Sequence, residues 1–228
     1  MLARDCEGYR RLCQVISAAQ LAGGAKGRPS YDAGALAAAH GGHWVVLTGC
    51  RKGAVPAALA ASGPEAALRE LHRLAEMFGR DNVMVELIDH DQPADDERND
   101  ALYELAMRAG MGVVASSNVH YAAPAQARLA QALAAIRART GLDEMNGWLP
   151  VSSSAYLRSG AEMARRLTRY PGVFARTVEL GRECAFSFEV IAPELPDWLV
   201  PENYTQMSWL RKLVADRIAR SRAKSGTG

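Results

Sequence analysis

The chain has 228 residues, a formal net charge of +2, 49% hydrophobic residues and 23% charged residues. This composition is ordinary for a globular protein and excludes a disordered or fibrous one, and the length allows one large domain or one domain with a small appendage. No apolar run approaches the roughly 18 residues of a membrane helix, and the first residues carry acids and arginines where a signal peptide is apolar. We therefore expect a cytoplasmic protein without a membrane partner.

Cysteine spacing and charge distribution narrow the class of protein further. The four cysteines are widely scattered without a CxxC pair, so neither a zinc ribbon nor a disulfide framework is predicted. Residues 81–104 hold nine acids and one base, whereas residues 204–228 hold six bases and one acid. A basic flank of this kind can meet nucleic acid or another acidic surface, but solvated helix faces show the same pattern, and both interpretations stay open.

The first 140 residues read as helix, loop and three strand-helix units. Residues 5–21 have the pattern of an amphipathic helix, and a glycine-rich loop follows. Three short apolar runs predict strands, and the helical pattern after each predicts a crossover helix; these strands are 43–50, 82–90 and 111–121, and the helices are 54–79, 97–110 and 124–140. Gly110 is a helix stop and Pro124 suits a first helical turn. Short connections of this kind predict parallel strands and an α/β fold.

Beyond residue 140 the pattern changes. Residues 141–159 read as a loop, and Ser159 predicts the cap of a helix from about 160 to 170. Another helix starts near Pro171, a proline-spaced linker covers 191–204, and a last amphipathic helix covers 206–222. We therefore divide the chain into 1–140, 141–203 and 204–228.

Polar side chains stand where the three predicted strands end, and in parallel folds these ends meet at one edge. Cys50 follows the first strand, Glu86 lies within the second, and Asn118 and His120 close the third. Cysteine sulfur and histidine nitrogen are zinc ligands, and Glu86 or His90 can add an oxygen or a second imidazole. The alternative is structural: a cysteine as a small buried apolar residue and a histidine that is simply hydrogen-bonded.

Two further features bear on this site. Asn118 and His120 are two residues apart, so in an extended segment their side chains lie on one face. Glu86 interrupts an apolar run, where a carboxylate without a partner is costly to bury. The turn of Arg51 and Lys52 just before a helix can hold a phosphate, or it is a polar turn that only redirects the chain. The sequence contains no GxSxG, no Walker motif and no GxGxxG after a strand.

Several ordered motifs carry a resemblance to a known family. They are LARDCEGYRRLCQ, VVLTGCRKGAVPAAL, FGRDNVMVELIDH with ERNDAL, VVASSNVHYAAP, LRSGAEMARR and LVPENYTQMSWLRKLV. In this order they resemble the PHP (polymerase and histidinol phosphatase) region of bacterial C-family DNA polymerases. The similarity is greatest to the error-prone branch related to the DNA polymerase III alpha subunit, and it covers essentially the whole chain.

The resemblance implies the later part of a distorted seven-stranded βα barrel, followed by a helical connection toward a palm domain that lies downstream. It places metal-site positions at Cys50 and at the Asp-x-His motif, which here reads Asn118-Val119-His120. The neutral amide of Asn118 removes a charge that helps to hold a divalent cation. The family's opening His-x-His strand is expected upstream, so a site for zinc, magnesium or manganese is expected to be incomplete and the first strand here to have an open edge.

Three functions follow from these observations. The first is a part of an error-prone DNA polymerase that takes part in damage-induced translesion replication and DNA repair, with this stretch as scaffold and the nucleotidyl transfer elsewhere. Its partners are then the remaining polymerase domains, DNA through the full-length protein, and accessory proteins. The second is a PHP-type metal-dependent phosphoesterase or 3'-5' nuclease. The third is an inactive structural or binding remnant.

Overall fold

A computed structural model describes residues 1–145, 149, 153–187 and 199–225. These residues fall into two compact units, Met1–Ser187 and Phe188–Gly228. The strands are β1 (Leu2–Ala3), β2 (Trp44–Leu47), β3 (Val83–Ile88) and β4 (Gly112–Ser116). The helices of the first unit are α1 (Cys6–Ala22), α2 (Ala33–His40), α3 (Ala54–Ser62), α4 (Pro64–Phe78), α5 (Asp95–Ala109), α6 (Ala127–Ala138), α7 (Gly160–Arg166) and α8 (Val173–Glu183).

The four described strands form one sheet in the order β1-β2-β3-β4. Strands β2, β3 and β4 are parallel, with Val46 opposite Val83 and Glu86 opposite Val114. The predicted α/β fold with parallel strands is thus confirmed. Strand β1 pairs antiparallel with β2 through Leu2 and Ala3. The expectation of an open edge on the first strand was therefore wrong over this stretch, because two residues of the N-terminal segment fold back onto it.

Glycines set several element boundaries. The predicted helix 54–79 is two helices, because Gly63 has a φ of +79° and Pro64 then opens α4. Gly110 ends α5 with a φ of +61°, as its sequence position predicted. At the start of α7 the amide of Glu162 donates to Ser159 Oγ over 3.2 Å, which confirms the predicted cap.

Some elements differ from the sequence pattern. Helix α2 was not predicted, because AGALAAAH is almost uniformly apolar and has no amphipathic period; Asp32 caps it by accepting from the amide of Ala35 at 2.7 Å. Strand β4 ends at Ser116 instead of residue 121. Beyond it Asn118 has a φ of +37°, a left-handed conformation that asparagine tolerates and a strand does not contain.

The sheet is covered on both faces. Val83, Val85 and Leu87 point to the face where Leu71 of α4 and Leu105 of α5 lie, all of them buried. The opposite face carries Val45, Met84 and Val114, against which Leu180 of α8 packs. Because strand residues two apart lie on one face, Glu86 belongs to the same face as Met84. The sheet thus presents the Glu86 side chain at its carboxyl edge.

The second unit contains α9 (Gln206–Ser225), at whose start the amide of Ser208 donates to Thr205 Oγ1 at 3.1 Å. Most of the predicted linker 191–204 lies outside the described residues. The domain boundaries at 140 and 203 stay predictions. Among the helices that the structure describes, none combines the length and apolar character needed to cross a membrane.

Candidate functional site

A pocket of about 480 Å³ lies at the carboxyl ends of β2, β3 and β4. Its size falls within the roughly 300–1,000 Å³ of small-molecule sites. The side chains that the sequence singled out all line it: Cys50, Arg51, Lys52, Glu86, Asn118 and His120. His90, Asp95, Arg98 and Leu149 are also part of the wall. The parallel strand order thus brings together Cys50, Glu86 and His120, which are far apart in the sequence.

Glu86 is one of two buried acids of this pocket, with Asp95, and only 9% of its surface is exposed. Its amide donates to Thr48 Oγ1 at 2.9 Å, which ties β3 to the end of β2. Among the described residues, none donates a hydrogen bond to its carboxylate or forms an ion pair with it. A buried carboxylate without such a partner carries an electrostatic cost that a cationic ligand relieves.

His90 and His120 face each other across the pocket. Their ring centroids are 6.4 Å apart and the ring planes are 80° from parallel. His90 is buried and its Nε2 lies 2.8 Å from the carbonyl oxygen of Ser117, so the end of β4 orients this ring. His120 is exposed, and its amide donates to the carbonyl of Ala155 at 2.8 Å. The sequence offered His90 only as an alternative to Glu86, as a second imidazole; the fold places it beside His120.

Asn118 lines the pocket from a loop and not from an extended strand as predicted. Its left-handed backbone places it in a loop beyond β4, where its amide donates to Ser116 Oγ at 3.1 Å. The argument that Asn118 and His120 share one face of an extended segment is therefore wrong for this loop. Both still line the same pocket.

The turn after β2 carries Cys50, Arg51 and Lys52. It closes through a 2.7 Å hydrogen bond from the amide of Gly53 to the carbonyl of Cys50. A β-carbon at Gly53 would lie 2.0 Å from the carbonyl oxygen of Thr48, so this turn requires glycine. Cys50 is half-buried, while Arg51 and Lys52 are exposed at the pocket rim. The cations thus stand on the solvent side of the pocket.

The donor side chains do not converge as a metal centre. Within the described part of the chain, no three His, Cys, Asp or Glu side chains are arranged to hold one ion. Asn118 offers a neutral oxygen, and His90 already uses Nε2 toward Ser117. A closed zinc site needs four ligands at tetrahedral geometry. The residues present therefore do not fit a tightly bound ion in this arrangement.

We expect clearly less than one equivalent of zinc per chain after gel filtration, measured by elemental analysis. Two candidate ligands, Cys50 and His120, leave at least two tetrahedral positions to water or to Glu86. Cys50→Ala and His120→Ala should then change the metal content little. A full equivalent that either substitution abolishes would contradict this expectation.

Several acids of the stretch 89–100 are paired with basic or hydroxyl side chains. Arg166 of α7 binds both Asp89 and Asp91 at 2.6 Å. Asp95, almost wholly buried at the start of α5, pairs with Arg98 at 2.6 Å. Asp100 accepts from Tyr170 at 2.9 Å and also pairs with Arg169. Arg166 and Arg169 are about 70 residues away in the sequence from the acids that they bind, so these ion pairs follow from the tertiary fold.

The Asp89–Arg166 pair makes the free energy of unfolding depend on pH. Burial acts to raise the pKa of the Asp89 carboxyl, but hydrogen bonds from the Asp91 amide and from Arg166 outweigh it and hold this pKa below its ordinary value of 3.8. A carboxyl with a lowered folded pKa adds stability above the unfolded value, and this contribution disappears as the pH falls through the folded value. We expect Arg166→Met to lower the free energy of unfolding by about 1–2 kcal/mol at pH 7.

Urea unfolding at pH 7 and at successive values below 3.8 measures this effect. The difference between Arg166→Met and the unchanged protein should shrink toward zero as the carboxyl becomes protonated in both. Arg128→Met, on the exposed face of α6, is the matched control and should stay within about 0.5 kcal/mol at every pH. A pH-independent loss in Arg166→Met would show that packing, and not the charge pair, is responsible.

Comparison with known proteins shows what this chain is similar to. Residues 1–90 match the PHP domain family. The chain is 53% identical over 213 residues to an error-prone DNA polymerase of Mycolicibacterium paratuberculosis. This alignment covers 93% of the chain and 20% of the relative. It is 52% identical over 214 residues to an error-prone DNA polymerase of Mycobacterium tuberculosis, covering 94% of the chain and 20% of the relative. An error-prone DNA polymerase of Nocardia farcinica is 54% identical over 229 residues, with 96% of the chain and 20% of the relative covered.

These relatives confirm the resemblance seen in the sequence. The chain carries a PHP domain match and is homologous, over more than nine-tenths of its length, to error-prone DNA polymerases. It spans about a fifth of the length of the curated relatives it matches.

Proposed function

We propose that this chain is the PHP scaffold of an error-prone DNA polymerase and does not itself contain the polymerase active site. The observation that carries the proposal is the 52–54% identity to three such polymerases over nearly the whole chain. The acids of residues 89–100 support it, because they are held by arginines and are not gathered to bind metal ions. The pocket beside β2, β3 and β4 then belongs to the scaffold.

The finer architecture is part of the same proposal. The parallel strands β2, β3 and β4 are part of a distorted seven-stranded barrel, and α9 belongs to the connection toward a palm domain. Partners are the other polymerase domains, DNA through the full-length protein, and translesion accessory proteins. The whole protein acts in the cytoplasm in damage-induced replication and repair. The names of the relatives support error-prone synthesis, and the basic end of the chain is suited to an acidic neighbour.

A domain exchange tests this proposal. The segment of the Mycobacterium tuberculosis polymerase that aligns with this chain is replaced by this chain, and templated primer extension is measured against the unchanged polymerase. With about half of the residues identical, we expect activity within about tenfold of the parent, a difference of about 1.4 kcal/mol in the activation free energy. A folded exchange protein that extends no primer would contradict the proposal.

A second candidate is a phosphoesterase; the described donors do not fit a tightly bound ion, so its metal ion would have to bind weakly from solution, and the charged side chains of the pocket are what favours this candidate. Glu86, a largely buried acid whose carboxylate has no hydrogen-bond or ion-pair partner among the described residues, lies in a pocket that also carries two rim cations, Arg51 and Lys52, suited to a phosphate group. The test is hydrolysis of bis(p-nitrophenyl) phosphate with manganese. Glu86→Gln should remove any such activity, whereas Glu104→Gln, exposed on α5, should not. No hydrolysis in the unchanged chain would leave the inactive scaffold as the function of this stretch.

A further inference from the structure

Residues 153–158, called here the strap, connect the two loops that carry the pocket histidines. On one side the strap lies along the loop after β4. The amide of His120 donates to the carbonyl of Ala155 at 2.8 Å, and the amide of Leu157 donates to the carbonyl of Tyr121 at 3.2 Å. Tyr121 and Tyr156 form a parallel bridge. The strap thus pairs with the loop after β4 through an isolated bridge that lies outside the four strands of the sheet.

On its other side the strap holds the loop after β3. The hydroxyl of Ser154 donates to the backbone carbonyl of His90. Arg158 Nη1 donates to the carbonyl of Asp89 at 2.9 Å. The two acceptors are the backbone carbonyls of His90 and of the residue before it, and both donor residues of the strap are buried. One short segment is therefore bonded to the backbone at both histidines.

Arg158 is the most constrained member of this strap. Its side chain is only 1% exposed, and carboxylate oxygens of Asp91 and Glu162 lie 3.6 and 3.5 Å from its guanidinium nitrogens. Its guanidinium also lies 5.2 Å from the ring centroid of Tyr156. Within the described residues, Nε and Nη2 have no hydrogen-bond partner, so the carbonyl of Asp89 is the directed contact of this group. Burying an arginine is costly unless it is paired, and these two carboxylates compensate its charge, although Asp91 lies closer to Arg166, at 2.6 Å.

We propose that Arg158 is a positioning residue that holds the His90 loop against the strap, so that the His90 and His120 rings stay side by side in the pocket. It acts through the backbone carbonyl of Asp89 and does not itself line the pocket. The use of the pocket rests on the phosphoesterase candidate above, but the positioning itself does not. The strap has this effect because the same few residues bond to His90 on one side and to His120 on the other.

The experiment compares the unchanged chain with Arg158→Met, Arg158→Lys and the control Arg176→Met. Arg176 lies on α8, where it pairs with Glu183 at 2.7 Å, and it does not line the pocket. Proton NMR of the isotope-labelled chain measures the nuclear Overhauser effect between the His90 and His120 rings. Circular dichroism and thermal unfolding establish that each variant is folded.

We expect the ring cross-peak to fall at least threefold in folded Arg158→Met, to recover in part in Arg158→Lys, and to stay unchanged in Arg176→Met. Resonances of the core valines of β3 should stay in place, which separates positioning from general destabilisation. If Arg158→Met does not fold, Ser154→Ala removes the neighbouring bond to the His90 carbonyl and should weaken the same cross-peak. An unchanged cross-peak in the folded variant would overturn the proposal.

Inorganic phosphate added to the same samples separates the two hypotheses. A shift of the His90 and His120 resonances in the unchanged chain that Arg158→Met reduces would support both the pocket and the positioning role. No shift in the unchanged chain, together with a cross-peak that Arg158→Met removes, would count against the phosphoesterase candidate and support the positioning role. A phosphate response that is equal in both, with an equal cross-peak, would overturn the positioning role alone.

Discussion

The purified chain should give no templated extension of a DNA primer with magnesium and deoxynucleotides. Nucleotidyl transfer by two metal ions requires carboxylates clustered around the ions. The densest acidic stretch of this chain is held otherwise, since Asp89 and Asp91 are bound to Arg166 and Asp95 is bound to Arg98. Freeing these acids for metal ions would break several short ion pairs at once. The expected rate is therefore that of the reaction without protein.

Gel-based primer extension measures this, with the domain-exchange polymerase described above as the active control. The chain is assayed before and after a second purification, because trace polymerase from the expression host gives the same product. Elongation that depends on template and nucleotides and survives repurification would show that the chain contains an unrecognised active site.

Leu71→Ala should lower the free energy of unfolding by about 2–5 kcal/mol. Leu71 lies on α4, is fully buried, and packs in the same core as Val83, Val85 and Leu105. The substitution removes this apolar contact and leaves a cavity that the neighbouring elements fill only in part. Because the total stability of such a domain is about 5–15 kcal/mol, the loss is a large fraction of it.

Urea unfolding monitored by circular dichroism gives the change, and Leu129→Ala is the matched control. Leu129 is also a helical leucine, on α6, but 59% of it is exposed. Its replacement should alter the free energy of unfolding by no more than about 0.5 kcal/mol. Equal effects of the two substitutions would mean that the core is not centred on the face of the sheet that α4 covers.

Much of the fold was predictable because its signals are local. Short apolar runs separated by helical patterns predicted β2, β3 and β4, and their parallel order follows from the crossover helices. Gly110 and Ser159 marked helix ends through their own backbone and side-chain chemistry. Since parallel strands end at one edge, the sequence also indicated that Cys50, Glu86 and His120 lie near one another, whereas Asp95 and Arg98 of the pocket wall were not singled out.

Other features depend on residues far apart in the chain, and no local pattern encodes them. Strand β1 is only two residues long and exists because it meets β2. The sequence does not show which side chains pair with the acids of residues 89–100, and only the fold brings Arg166 and Arg169 to them. The sequence shows which side chains are ionised, but it does not show which oppositely charged side chain lies within 3 Å of each.

The pocket itself shows the same division. The sequence alone determined that Cys50, Glu86 and His120 stand at neighbouring strand ends, because strand order and chain direction are set by short-range patterns. Tertiary structure alone decided that His90 turns toward His120, that Asn118 adopts a left-handed backbone, and that the strap carries Arg158 to the carbonyl of Asp89. These outcomes are set by hydrogen bonds and burial between segments up to 69 residues apart. Such energies arise only once the segments have met.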